Sequence, residues 1–218
     1  MMAETSLIKE REPLSSLVLY YLFKWSIVSP FLKIYFQGKI YGVENVPQKG
    51  AFVLVSNHAS YFDPLLLSCA VCRPVAYMAK EELFKIPLLN QGMRLYGAYP
   101  VKRGISDRTA IRAALKVLEQ GWAAGIFLDG TRTPDARIIE PKLGAALIAA
   151  KANVPLLPVS LWGTEKILLK GSPYPRSVPV TIRIGNIIEP PHSAKREDLE
   201  ETTAQCALLI NQLHSLGR

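Results

Sequence analysis

"AFVLVSNHASYFDPLLLSCAVC", residues 51–72, is the stretch on which the fold turns. Its opening run, AFVLVSN, is short, apolar and rich in β-branched side chains without polar alternation, which predicts a strand buried on both faces. Strands of that kind belong to parallel sheets covered by helices. Asp63 followed by Pro64 then signals a helix start, with Asp63 as N-cap and Pro64 as the first helical residue of "PLLLSCAVC". His58 and Asp63 fall between strand and helix. On one continuous helix their side chains would stand about 140° apart, so they meet only if the chain turns between them. A neutral imidazole can take a proton from a hydroxyl near neutral pH, and a carboxylate can fix its tautomer. The spacing alone leaves two readings open: a catalytic pair, or a plain turn in which Asp63 caps and His58 donates a loop hydrogen bond.

Outward from this segment, strand and helix signals alternate. "VAYMAK" (75–80), "AYPVKR" (98–103), "AAGIFLD" (123–129), "LLPVSLWG" (156–163) and "VTIRIGNIIE" (180–189) read as strands. A short helical stretch is expected over 81–95. A helix capped by Ser106 or Asp107 carries Ile111, Leu115 and Leu118 at helical spacing and stops at Gly121. Two more helices are expected over 142–153 and from Arg196 to the end of the chain. The predicted fold class is therefore α/β: a mostly parallel central sheet covered by helices on both faces. Ligands of such sheets sit beyond the carboxyl ends of the strands. The segments 56–63, 102–106 and 129–142 all follow strands and are candidates for one shared rim.

The 218 residues, 49% of them hydrophobic, suffice for one substantial core, and neither repeats nor low-complexity tracts interrupt them. A net charge of +8 and a pI near 9.4 favour anionic partners without choosing among them. No nucleic-acid module is recognisable, so nucleic acid is not expected as a partner. Three cysteines and no signal-peptide cleavage site point to a reducing cytoplasm. Cys69 and Cys72 lie in an apolar context and read as a buried helical face; no metal site is expected. His192 and His214 read as surface residues.

Residues 14–36, "LSSLVLYYLFKWSIVSPFLKIYF", are too apolar for a solvated helix, but Lys24, Lys33 and Pro30 make them a poor single span. Two short helices around Pro30, lying in a membrane interface with aromatics and lysines interleaved, fit better; helices that simply cap the core of a soluble domain are the other reading. Residues 1–40 are thus expected as a membrane anchor and 41–218 as the functional domain, at the cytoplasmic face of the membrane and held peripherally. Anionic lipid headgroups would be partners for the basic charge.

A second loop, "FLDGTRTPDARIIEPKLG" (127–144), combines features suited to an anion. Gly130 permits close backbone approach, Arg132 can hold a phosphate bidentately, and Thr131 adds a hydroxyl. A polar turn with an exposed Arg reads equally well, and Lys102 with Arg103 presents the same ambiguity.

Four segments in order nonetheless resemble the glycerolipid acyltransferase family, the 1-acylglycerol-3-phosphate O-acyltransferases. "NHASYFD" resembles its N-H-x-x-x-x-D motif, "GAYPVKR" its second, "FLDGTRT" its third and "VPLLPV" its fourth. Asn57, Lys142, Gly144 and Pro158 match further motif positions. Leu128 stands where the family usually has Pro, and Asp129 where it usually has Glu, a carboxylate shorter by one methylene. The resemblance implies acyl transfer from a thioester, acyl-CoA or acyl-carrier protein, to the sn-2 hydroxyl of lysophosphatidic acid, giving phosphatidic acid in phospholipid biosynthesis. No cofactor is implied; the thioester enters as a substrate. His58 would be the base and Asp63 its orienting partner. Lys102, Arg103, Thr131 and Arg132 would bind phosphate, and the loop at Asp129 and Gly130 would serve the oxyanion. Two alternatives stay open: a relative acting on glycerol 3-phosphate or another lysolipid, and a non-catalytic basic membrane-binding protein.

Overall fold

The computed structural model describes residues 12–85, 90, 93, 98–101, 107–168 and 174–218. They form one sheet of seven strands: β1 (Lys39–Tyr41), β2 (Phe52–Ser56), β3 (Val75–Lys80), β4 (Tyr99–Val101), β5 (Ala123–Phe127), β6 (Leu156–Trp162) and β7 (Thr181–Ile184). Their spatial order is β1-β7-β6-β2-β5-β3-β4, parallel throughout except where β7 runs antiparallel to β6. The strand read first from the sequence, β2, is central and buried along its whole length, as a run apolar on both faces requires.

Helices cover both faces. On one side lie α1 (Leu14–Tyr35) and α2 (Asp63–Val71), packed through Val28, Leu32, Leu66, Leu67 and Ala70 onto the sheet. On the other lie α3 (Asp107–Glu119), α4 (Gly144–Ala152) and α5 (Arg196–Ser215), which bury Ala114, Leu118, Ile148, Cys206 and Ile210. The α/β class and two-sided cover expected from the sequence are what the chain adopts. The helical stretch expected after β3 is a 3-10 turn over Glu81–Lys85; most of 86–97 lies outside the described residues.

The N-terminal segment departs from the two short helices expected around Pro30. It is one continuous 22-residue helix, long and apolar enough by composition to cross a membrane. Pro30 stays helical at φ −59° and ψ −42°. Wide π-type turns at Lys24–Val28 and Phe31–Tyr35 flank it and absorb the ring and its missing N–H without a break. Lys24, taken from sequence as a polar interruption, is buried, with Nζ 2.7 Å from Cys72 Sγ. Tyr20 donates to the Ser68 carbonyl at 2.6 Å. Just before the helix, Glu12 Oε1 accepts from Arg73 Nη2 and Nε at 2.6 and 2.9 Å, and both residues are buried. α1 thus carries two surfaces: one fixed to the sheet, and one exposing Leu14, Val18, Leu22, Trp25, Ile27 and Ile34. The boundary drawn at residue 40 falls inside β1, which pairs with β7.

Candidate active site

β2 and β5 end side by side in register, Ser56 opposite Phe127, so the loops that follow them share one rim. Backbone bonds knit the loops together: Leu128 N–H to the Ser56 carbonyl (3.1 Å), Thr133 N–H to that of His58 (2.8 Å) and Lys142 N–H to that of Leu128 (2.7 Å). Two of the three loops expected at this rim therefore meet there. The third, with Lys102 and Arg103, lies outside the described residues.

Asn57 is the hub of this rim. Fully buried, it donates through Nδ2 to the carbonyls of Ala136 (2.7 Å) and Leu161 (2.8 Å), while Oδ1 accepts from Leu161 N–H (2.8 Å) and Ser56 Oγ (3.3 Å). Ala136 needs that hold, because its φ of +57° is strained for a side chain with a Cβ. From sequence Asn57 was a motif letter; its structural work is to join β2, β6 and the loop after β5.

His58 and Asp63 come together across the turn. Nδ1 of His58 lies 2.8 Å from Asp63 Oδ2, with Asp63 wholly buried and the His58 side chain 18% exposed. A carboxylate accepts only, so Nδ1 carries the proton, and Nε2 is left as the acceptor of the neutral ring. The same Oδ2 accepts the amides of Ala59 and Ser60, each at 2.7 Å. Here the sequence reading needs correction. Asp63 is not the N-cap of α2; Phe62 holds that position, and Asp63 is already helical with no side-chain cap bond to the helix. Its carboxylate turns backward, because gathering two loop amides and an imidazole satisfies more donors than a single cap would. The Phe127 ring lies under the imidazole, centroids 3.8 Å apart and planes 12° from parallel.

Arg132 is exposed and lies over the Tyr61 ring at 3.7 Å, donating to the Tyr61 hydroxyl at 2.9 Å. Tyr61 was missed from sequence, although an exposed aromatic between His58 and Asp63 was the available signal. Thr131 is exposed beside Arg132, and Lys142 is exposed with Nζ 3.6 Å from Glu140 Oε2. Gly130 has φ +68°, the left-handed turn that favours glycine, and its own N–H is taken by the Phe127 carbonyl at 3.0 Å. Asp129 points inward: Oδ1 accepts the amides of Ile139 and Glu140 at 3.2 and 3.1 Å, so it shapes the loop. Gly144 is the first residue of α4, and Pro158 is buried in β6 opposite Val55. The β7 ladder starts one residue later, at Val159, and the Pro158 carbonyl accepts from Gly185 N–H just beyond β7 at 2.8 Å.

The thiols of Cys69, Cys72 and Cys206 are free; Cys69 is buried as expected, but Cys72 is exposed at the left-handed end of α2. His214, read as a surface residue, is instead 8% exposed, and neither ring nitrogen has a partner among the described residues. Burial and the nearby Arg137 guanidinium hold it below its ordinary pKa, against the opposing pull of Glu165 and Asp135.

A mostly parallel α/β sheet thus carries a carboxylate-bound histidine at its carboxyl rim, beside a glycine-turn loop that presents an arginine. The acyltransferase family model matches residues 37–162, and the chain belongs to the acyltransferase family. Over 153 residues, 68% of its length, it is 34% identical to a chloroplastic 1-acyl-sn-glycerol-3-phosphate acyltransferase of Arabidopsis thaliana, and 32% identical to a 1-acyl-sn-glycerol-3-phosphate acyltransferase of Borreliella burgdorferi. It spans about half the length of these relatives, 42% and 60%. The crystal structure of the 1-acyl-sn-glycerophosphate (LPA) acyltransferase PlsC from Thermotoga maritima superposes with a TM-score of 0.74 at 29% identity, covering 90% of this chain and 79% of the other.

Proposed function

We propose that this protein transfers an acyl group from a thioester to the sn-2 hydroxyl of 1-acylglycerol 3-phosphate, making phosphatidic acid. The observation that carries the reading is the 2.8 Å His58 Nδ1 to Asp63 Oδ2 bond, which leaves Nε2 as the accepting nitrogen in a chain of this family. Nε2 takes the proton as the acceptor hydroxyl attacks the thioester carbonyl. The tetrahedral intermediate then collapses, the C–S bond breaks, and the imidazolium returns its proton to the departing thiolate. Asp63 stabilises the imidazolium between these events. No acyl-enzyme forms. The donor is acyl-CoA or an acyl-carrier protein, and no cofactor takes part.

Arg132, held over Tyr61, is the phosphate ligand, with Thr131 beside it and Lys102 and Arg103 supplying further charge. The oxyanion is assigned to the loop at Asp129 and Gly130; the Gly130 N–H is itself engaged by the Phe127 carbonyl, so the donor is another backbone N–H of this loop. The exposed apolar face of α1 seats the protein in the leaflet from which the lysolipid is drawn, peripherally and on the cytoplasmic side.

The test is turnover of a lysolipid panel in vesicles with acyl-CoA or acyl-carrier protein. Lysophosphatidic acid is expected to be the preferred acceptor, and His58→Ala to lose at least about a hundredfold in kcat. Preference for a lysolipid without a phosphomonoester would refute the acceptor, and unchanged turnover of His58→Ala would refute the mechanism.

A further inference from the structure

Tyr77 stands in β3 beneath the dyad, and the reaction above makes no use of it. It is the third ring of a stack. His58 lies on Phe127, and Phe127 lies on Tyr77 with centroids 5.6 Å apart and planes 20° from parallel. The neighbouring strand is cut away to admit it: Gly125 is the cross-strand partner of Tyr77, and a Cβ there would fall 2.2 Å from Tyr77 Cε1. A phenylalanine would stack equally well, so the hydroxyl needs its own explanation.

Among the described residues that hydroxyl is buried without a hydrogen-bond partner, and so is one oxygen of the Asp63 carboxylate, Oδ1. The other oxygen, Oδ2, accepts three N–H groups. A carboxylate saturated on one oxygen and bare on the other is an incomplete acceptor, and an orphan hydroxyl beneath the same dyad is the complementary donor. Burial, with the Asp63 charge adding to it, holds the Tyr77 hydroxyl protonated well beyond its usual range. The hydroxyl is therefore a donor.

We propose that Tyr77 is a positioning residue for acyl transfer: its ring sets the plane of His58 through Phe127, and its hydroxyl donates toward Asp63 Oδ1 across one bridging water. The carboxylate is then held from both sides while His58 gains and loses its proton. This rests on the reading of His58 as the base.

The test is Tyr77→Phe, which keeps the stack and removes one oxygen, assayed with lysophosphatidic acid vesicles and acyl-CoA. The expected result is a kcat lower by about tenfold, the scale of one hydrogen bond to a charged group, with KM unchanged for both substrates. The acid limb of kcat/KM is expected to move to higher pH, because the undiluted Asp63 charge then faces the imidazolium. The profile is taken at a temperature where circular dichroism shows Tyr77→Phe folded across the whole pH range, so that a moved limb reads the role and not acid unfolding. Parental kcat and an unmoved limb in Tyr77→Phe, with His58→Ala inactive, overturn this inference and leave the base standing. Full turnover in His58→Ala overturns both.

Discussion

Asn57 holds Leu161 by both of its backbone groups, accepting the N–H at 2.8 Å and donating to the carbonyl at 2.8 Å, as though it were a residue of a neighbouring strand. A third bond, to the Ala136 carbonyl, brings the loop after β5 into the same clasp. Asn57→Ala strips buried backbone groups of their partners and is expected to cost about 2–4 kcal/mol of stability. Activity should fall with it, because the clasp sets the loop beside His58. Denaturant unfolding of the variant checks the first, and kinetics at a temperature where it remains folded checks the second.

Asp63→Asn keeps a neutral oxygen for the loop amides and Nδ1–H, but removes the negative charge that stabilises the imidazolium. A kcat lower by at least about a hundredfold is expected with the fold intact. Circular dichroism alongside steady-state kinetics separates the two effects.

Tyr61 acts through Arg132. Removing the ring in Tyr61→Ala frees the guanidinium from its platform. The expected outcome is a KM for lysophosphatidic acid raised about three- to tenfold, with kcat changed less. Arg132→Lys is expected to rescue poorly, since an ammonium lacks the planar fork.

His214 gives the fold an acid sensitivity of its own. Its folded pKa lies below the ordinary value of 6.5, so the unfolded chain takes up the proton first as pH falls. Its contribution is full above about pH 6.5 and is lost as pH drops through the lower folded value. His214→Leu should shrink the fall in melting temperature between about pH 7.5 and pH 5 by a few degrees. Parallel melting curves for parent and variant would exclude this role.

Arg73→Met leaves the buried Glu12 carboxylate without its guanidinium, and the carbonyls of Pro47, Gly50 and Gly121 without their donor. The expected loss is about 3–5 kcal/mol, read by thermal or denaturant unfolding. Replacing Glu12 by Gln as well should recover part of it.

The central strands were legible because β2, β5 and β6 are apolar on both faces and bounded by turns. β1 was not: three residues at the sheet edge, with Lys39 and Tyr41 exposed, carry no periodic signal, and its pairing depends on a strand about 140 residues away. The helix start at Asp63 and Pro64 was legible, but the capping role of Asp63 was misjudged by local rules, which count one cap bond and cannot count donors arriving from the preceding loop. His214 had a signal that passed unused. Leu199, Thr203, Cys206, Ile210 and His214 recur at helical spacing and are all buried, so the stripe itself pointed inward. The pairing of Phe127 with His58, and of Tyr61 with Arg132, joins residues about 70 apart, which no spacing argument reaches.

One property follows from the way α1 is fastened at both ends. Arg73 grips the residue just before it through Glu12, and at its far end Phe31 and Phe36 pack against Phe62, centroids 6.3 and 6.0 Å away, immediately before Asp63. The helix is therefore a strut rather than a tether. Any surface that orients its apolar flank also fixes the tilt and height of the imidazole above that surface, so docking and aiming are a single mechanical event.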